Sequence, residues 1–281
     1  MILKYDGVLR TSLFINSMNN LLRSIVRSHL FLSFSSFVFL FGLYSKSENS
    51  LLYALMISFG IIGIYNGHRL WKCRQRQLPT EIYNWTFKHK RKLIFLSVVA
   101  LSISISIYGL FFSGYLFQNL LALVCVLISI FYVKRIRKLS LRDIPYLKVW
   151  FVIAIWYCLF FVFPFLFFGV SPSWMTGLLL LIIILIPSDI KDIYYDRSEL
   201  KTIPQVLGVS VSLKMIQGII FLALILLLLP IERIQDPEPW IIGFTYFLLL
   251  TIFYVRIGYR YFFVFADASF LLIGLSALFL N

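Results

Sequence analysis

Residues 174–192 read WMTGLLLLIIILIPSDIKD. The apolar run from Leu178 to Ile186 is unbroken, and three charged residues, Asp189, Lys191 and Asp192, close the stretch. A continuous apolar segment of this length that ends abruptly in charge is what a bilayer-crossing helix requires, since about 20 residues at 1.5 Å rise span the hydrocarbon. A strand with one wet face would alternate instead. The Pro187-Ser188-Asp189 sequence marks where that helix meets the membrane surface.

Runs of the same kind recur on both sides. Candidate spans are 29–45, 51–70, 92–111, 114–133, 147–169, 174–192, 210–230, 239–256 and 261–280. The expected fold is therefore all-α: a polytopic membrane helix bundle of about nine transmembrane helices, in one membrane-embedded domain over residues 1–281. Composition agrees. The chain is 60% hydrophobic and 14% charged, whereas a soluble domain is typically about 45–50% apolar and about 25% charged. Too few charges remain to clothe a water-facing surface. Residues 1–28 carry Lys4, Asp6, Arg10, Arg23 and Arg27 and lack the pattern of a cleavable signal peptide, so they read as a cytoplasmic lead-in. Pro164 and Pro187 fall inside spans, where neighbouring helices are expected to satisfy the backbone groups that proline frees.

The net charge of +14 is explained by topology. All but Lys46 and Arg233 of the 26 Lys and Arg residues lie in the N-terminal segment or in and beside the loops 70–91, 134–146, 190–209 and 257–260. Cytoplasmic loops are rich in Lys and Arg. The distribution puts the N-terminus inside and the C-terminus outside, as for an integral protein of a bacterial plasma membrane. No basic segment outside the spans is interleaved with stacking aromatics, so nucleic-acid binding is not expected. Cys73, Cys125 and Cys158 are far apart in sequence and read as structural fillers. Lys148, at the start of the fifth span, is expected to snorkel to the headgroups. His29 is read as an interface marker, and Asp267 as a lone intramembrane acid to be paired with Arg256 or Arg260.

Acids are scarce, and four of the twelve, Asp189, Asp192, Asp196 and Glu199, fall at the end of the sixth span. Asp189, Asp192 and Asp196 stand at i, i+3 and i+7, one face of a helix. Carboxylates so placed repel one another unless a cation lies between them, and a hard oxygen set suits Mg²⁺. The spacing equally fits a solvated helix end neutralised by Lys191, Arg197 and Lys201.

The segment from Pro187 to Gly208 resembles the second signature of the UbiA superfamily of intramembrane prenyltransferases. The aspartates are spaced D-x-x-D-x-x-x-D. They are followed by Asp196-Arg197, by Lys201-Thr202-Ile203-Pro204, and by Leu207-Gly208. The resemblance implies nine helices with catalytic loops on the cytoplasmic side. It also implies transfer of an isoprenoid chain from a prenyl diphosphate to a lipophilic acceptor. Carried over residue by residue, it implies Mg²⁺ on Asp189, Asp192 and Asp196, and catalytic roles for Asp192, Asp196 and Lys201. The family's first signature, an Asp-rich run at the end of the second helix, corresponds to Ile64–Arg74. Anchoring on Asn66 puts Gly67, Leu70 and Arg74 at its aspartate positions. Matching Arg69 to the family's Asp-Arg pair puts Tyr65, His68 and Lys72 there, and this register is preferred. No aspartate survives in either. Arg and Lys can take over part of a metal's work on a diphosphate, so Asn66, His68, Arg69, Lys72, Arg197 and Lys201 form the expected diphosphate-binding set. The alternatives are a UbiA-like isoprenoid-binding protein without catalysis and a small transporter. The transporter reading is weakened by the absence of a repeated half and by acids at one membrane face rather than the middle.

Overall fold

A chain immersed in lipid must satisfy its backbone polar groups internally, and helices do this within each segment. The computed structural model describes residues 20–133, 144, 147–170, 174–193, 201–229, 236–254 and 259–280. Among them there is helix and no strand. In chain order the helices are α1 (Asn20–Arg27), α2 (Leu30–Tyr44), α3 (Ser50–Arg74), α4 (Thr80–Lys88), α5 (Lys90–Phe111) and α6 (Leu116–Val133). Then come α7 (Lys148–Phe168), α8 (Trp174–Asp192), α9 (Ile203–Leu207), α10 (Val209–Leu228), α11 (Glu238–Ile252) and α12 (Tyr259–Leu280).

Four of these, α3, α5, α7 and α10, are long and apolar enough to cross a membrane. Shorter apolar helices cover Leu30–Tyr44, Leu116–Tyr132, Trp174–Ile190, Glu238–Ile252 and Ala266–Leu280. The apolar helical segments thus coincide with the runs read from sequence. Helix α3 continues a turn beyond the expected edge at residue 70, and α4 fills part of the basic loop after it. The outer surface is oily: Phe95, Ile105, Leu116, Phe117, Phe221 and Phe279 are all exposed. A protein in water buries such side chains; one in lipid has no reason to.

Helix α2 lies between α3 and α12, and α12 also meets α8 and α11. On the other side α3 meets α5 and α6, α6 meets α7, and α7 meets α8, so the chain of neighbours returns to α12. Lipid supplies no hydrophobic drive between helices, so close backbone approach has to provide the packing. Gly42 on α2 and Gly274 on α12 show this: a Cβ at Gly42 would sit 2.2 Å from the Gly274 carbonyl oxygen, and one at Gly274 would sit 2.2 Å from that of Val38. Aromatic rings fill the centre. The Trp156 and Phe270 rings stack at 5.8 Å between centroids, and Phe39 meets Phe270 edge-on at 5.0 Å.

Helix α7 is interrupted by a π-helical turn at Cys158–Val162, immediately before Pro164. Proline has no N–H, so the carbonyls four and five residues earlier lose a natural donor. Those are Phe160 and Leu159. The Tyr44 hydroxyl donates to the Phe160 carbonyl at 2.8 Å, and the Tyr53 hydroxyl donates to that of Leu159. Two tyrosines from α2 and α3 therefore cover the break in α7, as expected of a proline within a span.

Candidate functional site

The described residues among those singled out in sequence lie at the ends of α3, α7 and α8 and just before α9. At the end of α8, Asp189 is buried. Its Oδ1 lies 2.6 Å from Nζ of Lys148, the first residue of α7, which is buried as well. This overturns the expectation that Lys148 snorkels. Asp189 lies two residues past Pro187 on the inner side of α8, and a carboxylate there draws the Lys148 ammonium inward. An unpaired buried charge is far costlier than a paired one.

Asp192 is the last residue of α8. Its side chain, together with Asp196 and Arg197, lies outside the described residues, so the i, i+3, i+7 face is described only at Asp189. Among the described residues no three His, Cys, Asp or Glu side chains converge as a metal site. The acids' family-like tail has a plain structural role. Lys201 adopts a left-handed conformation (φ 48°), and the Thr202 N–H donates to Gln205 Oε1 at 3.0 Å. Pro204 fits the first turn of α9, where no N–H partner is needed. Gly208 (φ 80°) then lets the chain turn into α10 at a backbone angle that disfavours side chains. The Lys-Thr-Ile-Pro and Leu-Gly pairs thus build the αL–cap–turn that returns the chain to the membrane.

On α3 the candidate residues fan outward from one turn. Asn66 is fully buried, and its Nδ2 donates to the Ser28 carbonyl at 2.8 Å and the Ile62 carbonyl at 2.9 Å. That ties α3 to the break between α1 and α2, where His29 takes a left-handed conformation (φ 58°). The His29 ring lies 5.0 Å from that of Tyr65, so it does more than mark the interface. His68 Nε2 donates to the Ser129 carbonyl of α6 at 2.9 Å. A carbonyl can only accept, so Nε2 carries the proton. Tyr65 receives a hydrogen bond from Trp156 Nε1 on α7 at 3.1 Å. Lys72 is half-buried near the helix end.

Arg69 differs from these. Its Nη1 is buried and has no hydrogen-bond partner among the described residues. Another cation, Arg27, stands close enough to act on it electrostatically; Arg27 is already bonded to Glu81 and lies over the Trp85 ring at 5.9 Å. Asn66 Oδ1 is likewise buried without a partner among the described residues. Buried polar groups are nearly always satisfied, and exceptions mark places where something is missing. Among the described residues, one orphan donor, Arg69 Nη1, and one orphan acceptor, Asn66 Oδ1, thus stand within one turn of α3.

Helix α7 links the two halves. Trp156 bonds to Tyr65 of α3, and Lys148, two turns earlier, bonds to Asp189 of α8. Sequence reading missed three of these contacts: Lys148 with Asp189, Tyr65 with Trp156, and Cys125 with Cys158. The two thiols, 33 positions apart, stand close enough for each to influence the other. Each contact joins residues from separate helices, and no local pattern encodes it. Arg256 and Arg260, the expected partners of Asp267, lie outside the residues whose side chains are described; Asp267 stands close enough to Tyr65 to act on it electrostatically.

No protein-family model, no curated protein and no solved structure matches this chain.

Proposed function

We propose that this chain is a membrane-embedded prenyltransferase-like protein of the UbiA type. It transfers an isoprenoid chain from a prenyl diphosphate to a lipophilic acceptor at a diverged diphosphate site. The observation that carries this reading is Arg69, whose buried Nη1 has no partner among the described residues, on the turn that also bears Asn66 and His68. A diphosphate answers that need. Arg supplies planar paired donors and Lys a point charge, so Arg69 and Lys72 would take the leaving group together with Arg197 and Lys201.

The reading extends to nine membrane crossings, with the basic loops and the N-terminus in the cytoplasm and the C-terminus outside, in a bacterial plasma membrane. Two ion pairs support a common face for the basic loops. Arg27 with Glu81 joins the N-terminal segment to the loop after α3, while Lys46 and Asp236, 3.9 Å apart, join two of the sparsely charged connections.

The donor chemistry at the end of α8 fits a hard cation: Asp189, Asp192 and Asp196 offer only oxygen. These residues would hold Mg²⁺, whose contribution when bound is to neutralise charge on the departing diphosphate. Lys148 already sets one positive charge against Asp189, which supports one ion rather than two. The chain's own groups then divide the work. Asp192 and Asp196 orient the headgroup, Lys201 and the α3 cations bind its oxygens, and the apolar helices exclude water from the allylic carbon.

The same Lys148–Asp189 pair favours a second reading, an isoprenoid-binding protein without transfer, because an internal ammonium already satisfies one of the acids. Purified protein in lipid nanodiscs, titrated with geranylgeranyl diphosphate with and without Mg²⁺, tests the first reading. The expected results are saturable binding that weakens at least tenfold in Arg69→Gln, and Mg²⁺ dependence that disappears in Asp192→Ala. Binding equal in wild type and both variants would remove the diphosphate site. Binding intact but no transfer to any lipid-extract acceptor would select the second reading.

A further inference from the structure

Between Lys72 and Lys92 the sequence holds seven Lys and Arg residues and a single acid, Glu81. Arg27 of α1 takes that acid: its guanidinium is bonded to Glu81 and lies over the Trp85 ring at 5.9 Å. The Trp85 ring also stacks on that of His89 at 4.8 Å, and His89 Nδ1 donates to the Trp85 carbonyl at 2.8 Å. Helix α4 is thus held against α1 by contacts that use the one negative charge of the segment. Arg74, Arg76, Lys88, Lys90, Arg91 and Lys92 are exposed.

These cations stand where oily surface ends. On α5, Phe95 is 71% exposed, and Val98 and Val99, three and four residues on, are exposed on the same face. Arg91 and Lys92, four and three residues before Phe95, carry that face to the start of the helix. On α4, Tyr83 and Phe87 stack one turn apart at 6.0 Å, and the exposed Phe87 is followed by Lys88. At the end of α3, Trp71 and Arg74 are one turn apart and both exposed. Exposed rings followed by cations mark the level at which acyl chains give way to headgroups. Membrane orientation alone needs only positive charge in a loop. It does not require the charges to continue a lipid-facing stripe.

We propose that the segment joining α3 to α5 is a docking surface for anionic phospholipid. Arg91 and Lys92 take the phosphate of a lipid whose acyl chains lie along Phe95, Val98 and Val99. Arg74, Arg76, Lys88 and Lys90 draw further headgroups around α4. Arg meets phosphate oxygens with paired N–H donors and Lys as a point charge. A zwitterionic lipid carries its own ammonium beside the phosphate, so this cationic surface holds it less tightly. The surface stands whether or not the chain transfers a prenyl group.

The test places the full chain in phosphatidylcholine bilayers doped with spin-labelled phosphatidylglycerol or spin-labelled phosphatidylcholine, and reads the share of each label immobilised at the protein. Phosphatidylglycerol should associate about threefold more strongly at low salt, and the preference should vanish at about 1 M salt, where screening acts beyond about 3 Å. Lys90→Gln, Arg91→Gln and Lys92→Gln together should remove at least half of the preference, whereas Lys90→Arg with Lys92→Arg should keep it. Arg135→Gln, Arg137→Gln and Lys138→Gln, which neutralise the basic loop after α6, should change it little. Equal association of both lipids with wild type would overturn the proposal. So would an equal loss in the two neutralised triples, which would make the preference a matter of net charge. Glycerophosphoglycerol, the same headgroup without chains, should not compete; if it displaces the labelled lipid, the surface serves a soluble phosphate and the lipid assignment falls.

Discussion

Two places in this bundle free buried polar groups, and they are treated differently. At Pro164 the missing N–H leaves the Phe160 and Leu159 carbonyls without their helical donor, and Tyr44 and Tyr53 supply hydroxyls to both. At the end of α3 the orphans stay orphans: Arg69 Nη1 and Asn66 Oδ1 are buried with nothing described against them. A carbonyl left bare in lipid is a pure loss, so the first region is closed by protein. A cation left bare beside a second cation is tolerable only where an anion completes it. The contrast separates proline geometry, which the fold itself completes, from the Arg69 nitrogen, which has no partner among the described residues. It also means that the π-helical turn, often a functional marker, is here explained by Pro164.

Substitutions can break or sharpen that contrast. The largest effect is expected at Lys148. Lys148→Ala strands the Asp189 carboxylate in an apolar surround and should cost about 3–5 kcal/mol. Thermal unfolding in detergent would read it, and adding Asp189→Asn should restore most of the loss. If the single variant unfolds like wild type, the pair is not a buried one. Next comes Tyr44→Phe, which removes the donor from the Phe160 carbonyl and should cost about 1–3 kcal/mol. An unchanged midpoint there would mean the break in α7 needs no outside donor. The smallest effect on stability belongs to Arg69→Met. Removing a side chain whose buried Nη1 has no partner among the described residues should leave the unfolding midpoint unchanged or raise it slightly, while anion binding drops at least tenfold. A large destabilisation instead would make Arg69 a structural residue and erase the distinction between the two regions.

The helical segments were legible in the sequence because the bilayer imposes one requirement everywhere: an apolar run of roughly fixed length. Runs such as Val209–Leu228 satisfy it visibly. Pro164 was legible as a break needing help from neighbours, but the helpers, Tyr44 and Tyr53, stand more than a hundred positions away. The same limit hid the partner of Lys148. From its local sequence, Tyr146-Leu147-Lys148-Val149-Trp150, a long amphipathic side chain at a helix start ordinarily reaches for headgroups. Only the juxtaposition of α7 with α8 places Asp189 within its reach. The stretch from Lys201 to Gly208 carried two messages at once. Its family-like spacing points to chemistry, while its Thr202, Pro204 and Gly208 follow ordinary rules for starting a helix and turning into the next.

The central claim is that Arg69 is buried for an anion while the tyrosines at Pro164 are buried for the fold. Ligand-induced thermal stabilisation by geranylgeranyl diphosphate, measured side by side in wild type, Tyr44→Phe and Arg69→Met, tests it directly. The account predicts that Tyr44→Phe starts lower yet gains as many degrees as wild type, whereas Arg69→Met starts at or above wild type and gains almost nothing. Equal gains in all three proteins, or no gain in wild type, would contradict it.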